Sequence, residues 1–211
     1  MNSISNLWYS KNESDWINAL NDYWNYVRPA NLQLEQKLNN LEVKQISDLD
    51  ESGWYNFLHD EYFQWKYTAP NRYKTTTNSL MKYLELNELT KLDNIRRRLL
   101  NLEHPNITEG LRIAHEIYGL GIAGASGLLS LMYPQYFATV DQFVVKALMV
   151  IENLPEIDRL KMIKPESITL NDGVFLINIL REKATENNTT FNCTHWTPRK
   201  IDMILWASTD E

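Results

Sequence analysis

An all-α fold is what this sequence predicts, on three observations. Apolar residues recur at helical rather than alternating spacing, only seven glycines and seven prolines interrupt 211 residues, and those breakers fall between the apolar-periodic runs. Ser14 can cap a helix carrying Trp16, Ile17, Leu20, Tyr23, Trp24 and Val27. That helix must stop at Arg28-Pro29, because the residue before a proline avoids helical geometry. A short helix carries Leu32, Leu34 and Leu38. A third begins after Ser52-Gly53, carries the wide aromatic face of Trp54, Phe57, Leu58, Phe63 and Trp65, and ends before Thr68-Ala69-Pro70. Further helices are expected from Thr76 to Leu86, Leu89 to Leu102, Thr108 to Tyr118, Ala123 to Tyr133, Asp141 to Ile151 and Asp172 to Glu186. The last, from Pro198 to Ala207, has Thr197 as cap, proline at its first position, and Ile201, Ile204 and Leu205 as its buried stripe. Asn153 to Asn171, with two prolines and mixed charge, reads as a long loop or a connection between lobes.

A hydrophobic content of 44% supports a substantial core. No run reaches the roughly 18 uninterrupted apolar residues of a membrane span. The first twenty residues include Asn2, Lys11, Glu13 and Asp15 and lack the apolar centre of a signal peptide, so a cytoplasmic monomer is expected. The single cysteine, Cys193, excludes an internal disulfide and a cysteine-built metal cluster. His59, His104, His115 and His195 show no paired spacing, so no metal and no cofactor are expected.

A net charge of −6 argues against a protein that coats nucleic acid by bulk electrostatics. The charge is unevenly spread. Residues 1–65 carry four Lys/Arg against ten Asp/Glu, residues 66–98 eight against three, and residues 99–211 nine against fourteen. Lys66, Arg72, Lys74, Lys82, Lys91 and Arg96 to Arg98 therefore form a basic segment that can hold phosphates, or a solvated face laced with intrachain salt bridges.

Ile117-Tyr118-Gly119-Leu120-Gly121-Ile122-Ala123 joins two apolar-periodic segments through Gly-Leu-Gly. Gly119 can end the first helix at positive φ, and Gly121 can let the backbone approach another surface closely. Backbone amides at such a hairpin, backed by the next helix's N-terminus, make a phosphate site without side-chain charge. An ordinary glycine-capped helical hairpin reads the same way. Eighteen residues after Ala123, Thr139-Val140-Asp141 places an aspartate at the start of an apolar helix, where it serves as a cap or as a catalytic acid.

The run from Gly119 to Asp141 resembles the signature of the helix-hairpin-helix DNA glycosylases. Gly119-Leu120-Gly121 matches the hairpin, Pro134 the loop and Val140-Asp141 the acid, in a form most similar to the 8-oxoguanine-glycosylase-like branch. The resemblance implies a two-lobed helical fold, with residues 1–68 plus 152–211 in one lobe and 69–151 in the other. It implies DNA as partner, a flipped base as substrate, backbone binding by Gly119, Gly121, Ala123, Arg72 and Lys74, and Asp141 at the sugar. A fixed carboxylate there stabilises the oxocarbenium-like state formed as the N-glycosidic bond breaks. Members that also cut the strand carry a lysine a few residues into the hairpin, where this chain has Ala123. The implied enzyme is therefore a monofunctional hydrolase that leaves abasic sites, unless Lys66 or Lys146 reaches the sugar from elsewhere.

Two further segments are candidates for the base pocket or for filling the gap left by the flipped base. Trp65, Lys66, Asn71 and Tyr73 surround a proline loop, with Asn71 placed as a gap-filling amide before a helix; a structural loop with Trp65 and Tyr67 in the core is the alternative. Trp196 or Trp206 can line the pocket from the final helix, or dock in the core. The rival functions are a non-catalytic helix-hairpin-helix DNA-binding module and a helical protein-interaction domain, the latter supported by the acidic composition.

Overall fold

A computed structural model describes residues 4–103 and 106–209, and these form an all-α fold without a strand. His104 lies outside the described residues. Helix α1 spans Ile4–Trp8. Helix α2 spans Glu13–Tyr26 and is capped by Asn12, which accepts from Ser14 N at 3.2 Å, so the cap falls two residues before the expected Ser14. Pro29 stops α2 as expected, and a 3-10 turn, Pro29–Asn31, leads into α3, Leu32–Asn39. Helix α4, Val43–Ser47, rests on a Glu42/Gln45 capping box that the apolar periodicity did not reveal.

Helix α5, Glu51–Phe57, starts where Asp50 accepts from Gly53 N at 2.7 Å. It continues without a break through a π-helical turn, Leu58–Tyr62, into α6, Phe63–Lys66. Helix α7, Pro70–Glu85, begins six residues earlier than expected, with proline in its first turn. Then come α8 (Leu89–Leu100), α9 (Ile107–His115), α10 (Ile122–Met132), α11 (Gln142–Met149), α12 (Ile157–Leu160), α13 (Leu170–Phe191) and α14 (Pro198–Ala207). Helix α12 lies inside the stretch expected to be loop, whereas α14 starts on Thr197 as expected.

The packing runs as a chain of neighbours. Helix α2 packs on α14, which also takes α11 and α13; α13 packs on α9, α9 on α10 and α8, and α8 on α5. Packing crosses positions 68 and 151, with α5 on α8 and α11 on α14. The buried Val144, Val145 and Leu148 of α11 need an apolar partner, and α14 supplies that surface. One contiguous core links Trp16, Trp54, Phe63, Leu80, Leu99, Leu128, Phe137, Leu180 and Leu205, with each large side chain contributing about 1.5–3 kcal/mol. None of the helices among the described residues is long and apolar enough to cross a membrane.

Candidate active-site cleft

Phe137 to Val140 run as a buried non-helical segment between α10 and α11. Two helices pin it. Val140 N donates to Ser126 Oγ at 3.0 Å, Ser130 Oγ lies 3.0 Å from Thr139 Oγ1, and Thr139 N donates to Asp202 Oδ2 of α14 at 2.6 Å. Asp141 then begins α11, its Oδ1 accepting from Phe143 N at 3.0 Å and Val144 N at 3.4 Å. The capping reading of Asp141 is thus correct for one oxygen. Its Oδ2 accepts instead from Lys66 Nζ at 2.9 Å, with the two side chains only 18% and 9% exposed. Burial pushes the Asp141 carboxyl up, but the Lys66 ammonium and the two amides outweigh it and hold it below the usual carboxylate range.

The end of α6 carries Lys66 to this place because α10 is thin on the facing side. Tyr62 Oη donates to Gly124 O, and a Cβ at Gly127 would meet Tyr62 Oη at 2.8 Å and Lys66 Cδ at 3.3 Å. Tyr67 Oη reaches Gly119 O at 3.3 Å, so the lysine's neighbour touches the hairpin. At the hairpin, Gly119 has the expected positive φ, +91°, but α9 already ends at His115, so this glycine shapes the turn rather than ending the helix; a Cβ there would lie 2.5 Å from Thr76 O. The close backbone approach expected at Gly121 is therefore made by Gly119. Gly121 is exposed at the cap of α10, and a Cβ there would meet no atom within 4 Å. His115 Nδ1 donates to Leu120 O at 2.7 Å and braces the turn.

Asp141 and Lys66 open onto a cleft of about 250 Å³, which is smaller than the roughly 300–1,000 Å³ typical of drug-sized ligands. Tyr26, Phe143 and Trp206 supply aromatic surface, and Arg28, Asn31 and Thr68 lie along it. Beneath lies a charged network. Arg199 Nη1 donates to Asp202 Oδ1 at 2.6 Å and Nη2 to Glu35 Oε1 at 3.1 Å, while Tyr23 Oη donates to Glu35 at 2.5 Å and Trp65 Nε1 to Glu35 Oε2. The guanidinium also lies 5.4 Å from the centre of the Trp65 ring. Burial pushes the Asp202 carboxyl up to about 7 although Arg199 and the Thr139 amide pull it down. Burial alone would lower the Arg199 guanidinium, but Asp202, Tyr23 and Glu35 raise it.

Of the residues expected at the site, Asp141, Trp65 and Lys66 line the cleft. Trp65 also packs against the core, as its structural reading expected. Asn71 and Tyr73 stand on the first turn of α7, outside the lining, and Tyr73 packs against the core. Trp196 is a correction: it is 2% exposed and packs edge-on against Trp16 at 5.8 Å, an apolar contact that removes it from the cleft, whereas Trp206 lines it. Ala123 is partly buried and outside the lining, and Lys146 is exposed on α11. The basic segment is largely consumed within the chain. Lys91 pairs with Glu88, Arg96 and Arg97 with Asp93, and Arg98 with Glu116. Arg72, Lys74 and Lys82 are exposed on α7 without an ion pair among the described residues; Thr76 of that helix touches the hairpin at Gly119.

Sequence reading missed Tyr23, Glu35, Arg199 and Asp202. The available signal was Arg199-x-x-Asp202 on a helix apolar nearly all round, where Ile201, Met203, Ile204 and Leu205 leave those charges no solvent face. No family model, no curated protein and no solved structure matches the chain. Among the described residues no cluster of side chains could hold a metal ion.

Proposed function

We propose that this protein is a DNA glycosylase which releases a damaged or modified base and leaves an abasic site. The observation that carries this reading is Asp141: one oxygen is tied to the start of α11, and the other faces Lys66 at the wall of a small aromatic cleft. A carboxylate held ionised and immobile where water is scarce stabilises positive charge developing on a deoxyribose as its base departs. Water then attacks C1′ while the base leaves with the bonding pair. The cleft's size suits one flat ring system between aromatic side chains, as base flipping requires. The exposed Gly121 at the start of α10 and the exposed Arg72 and Lys74 are the proposed contacts to the backbone phosphates. The fold proposed with this activity is the helix-hairpin-helix glycosylase arrangement. The biological setting is base repair or attack on modified phage DNA.

The test is to incubate the protein with modified and unmodified duplexes, including modified phage DNA, and to measure free base and alkali-labile sites. Base release from a modified substrate supports the proposal. Tight DNA binding with no base released from any of them would favour a binding module, and neither binding nor release would favour a protein-interaction domain, for which the acidic composition speaks.

A further inference from the structure

The geometry points to a second binding site away from the cleft: a groove lined by α1, α2 and α14 that receives a short basic amphipathic helix of a partner protein. The groove holds about 260 Å³ and shares no lining residue with the cleft. Neither Asp141 nor Lys66 lines it, so its ligand is independent of the glycosylase reading.

One stripe of α2 builds the acidic side. Asp15, Asn18, Ala19 and Asp22 fall at i, i+3, i+4 and i+7, positions that share a helix face, and all four line the groove. To these α14 adds Ile204 and Ala207, and α1 adds Ile4 and Leu7, so the surface between the two carboxylates is largely apolar. Ala19 is the smallest side chain of the stripe, and its shortness leaves the space open midway between Asp15 and Asp22. Other residues of α14, Arg199 and Asp202, line the cleft instead, so a single helix serves both cavities.

Charge, size and spacing together define the occupant. Residues 1–65 carry four Lys/Arg against ten Asp/Glu, a balance that repels DNA and attracts cations. Among the described residues neither carboxylate has a cationic partner: Asp15 accepts from Ser10 Oγ at 2.6 Å and Asn12 Nδ2 at 3.2 Å, and Asp22 from Asn25 Nδ2 at 3.4 Å. A carboxylate has room for about four such bonds, so both keep capacity for an ammonium or a guanidinium. The volume falls below the roughly 300–1,000 Å³ of a site for a whole small molecule, but it suits an anchoring apolar side chain. Seven residues of α2 set the carboxylates about 10.5 Å apart along the axis, which is also the rise from i to i+7 of any other helix. A partner helix with Lys or Arg at i and i+7 and an apolar residue at i+3 or i+4 therefore meets both carboxylates while its anchor enters over Ala19.

The deciding experiment selects from a displayed random peptide library on the immobilised full chain, without DNA, and then titrates the most enriched peptide by fluorescence anisotropy. Enriched sequences should carry two Lys or Arg seven positions apart with a large apolar residue between them, and the peptide should gain helical circular dichroism on binding. Asp22→Lys should weaken binding at least about tenfold, and Ala19→Trp, which fills the space between the carboxylates, should do the same. Should Ala19→Trp misfold, Asp22→Lys decides, because it replaces a side chain on the rim. No enrichment over the bare support, enriched peptides without the paired cations, or undiminished binding by a folded Asp22→Lys protein overturns the inference. A dimer of this chain in light scattering that Ala19→Trp dissolves also overturns it, by giving the groove to a second copy. Base release is measured on modified duplexes in its own assay, so failure of either reading leaves the other standing.

Discussion

Asp141 uses one oxygen as a helix cap and the other as an ion-pair partner, so Asp141→Asn tests two roles at once. Asparagine caps about as well as aspartate, but it leaves the buried Lys66 ammonium without a counter-charge. A loss of about 1–3 kcal/mol is therefore expected. Chemical denaturation should show most of it recovered in Asp141→Asn combined with Lys66→Met, and additive losses would mean that the pair contributes nothing. Base release by the folded single variant should fall at least about a hundredfold, measured at substrate saturation. The cap was legible in the sequence because it concerns only the next three residues. The partner was not, since Lys66 lies 75 positions earlier and the Arg199–Glu35 contact spans 164. Nothing local distinguishes a lysine that ends in a cleft from one that ends in water.

At the scale of the element, the hairpin's two glycines should separate cleanly on substitution. Gly119→Ala places a Cβ against Thr76 O in a left-handed backbone and should cost at least about 2 kcal/mol, read as a lower melting temperature. Gly121→Ala meets open space and should alter stability by under about 1 kcal/mol. If the α10 amides hold a phosphate, Gly121→Ala should nevertheless weaken DNA binding severalfold; unchanged affinity would remove the hairpin from the interface. Which of the two made the close approach was not readable, because the sequence does not say which helix passes over the turn. The long helices were readable from period and breakers. The early start of α7 was hidden by its Thr75-Thr76-Thr77 run, whose β-branched side chains disguise a helix already begun at Pro70.

Across the whole molecule, electrostatics supply two expectations. Three exposed cations on α7, rather than eight along the middle segment, are left for DNA, so binding should be modest and salt-sensitive. Charge reversal at Arg72 or Lys74 should reduce the slope of log affinity against log salt by about 1, as titrations at several salt concentrations would reveal. An unchanged slope after both reversals would place the duplex elsewhere. Stability should also fall as pH rises towards neutrality. Asp202 is held at about 7 against an ordinary 3.8, so the folded state binds that proton more tightly. Its contribution is complete below the ordinary value and is lost as pH rises through about 7, at up to roughly 1.4 kcal/mol per pH unit. The depressed Asp141 acts oppositely, losing its contribution only in acid below the usual carboxylate range. Melting curves from pH 5 to 8 should thus decline, and a flat or rising series would contradict the assignment. Fold class was legible from composition and period, whereas the pairing of one helix with another was not, because buried faces choose their neighbours only in three dimensions.

The π-helical turn at Leu58–Tyr62 sets the phase of everything beyond it. One additional residue accommodated in a helix turns the following surface by about 100° and advances it by about 1.5 Å. Trp65 and Lys66, which meet Glu35 and Asp141 after that offset, would in an unbroken α-helix point toward a different neighbour with the same amino acids in the same order. The cleft's chemistry therefore depends on a single-residue difference in length within a π-helical turn whose Asp60 is exposed, so a relative lacking that residue could keep every residue type of the site and still lack the site.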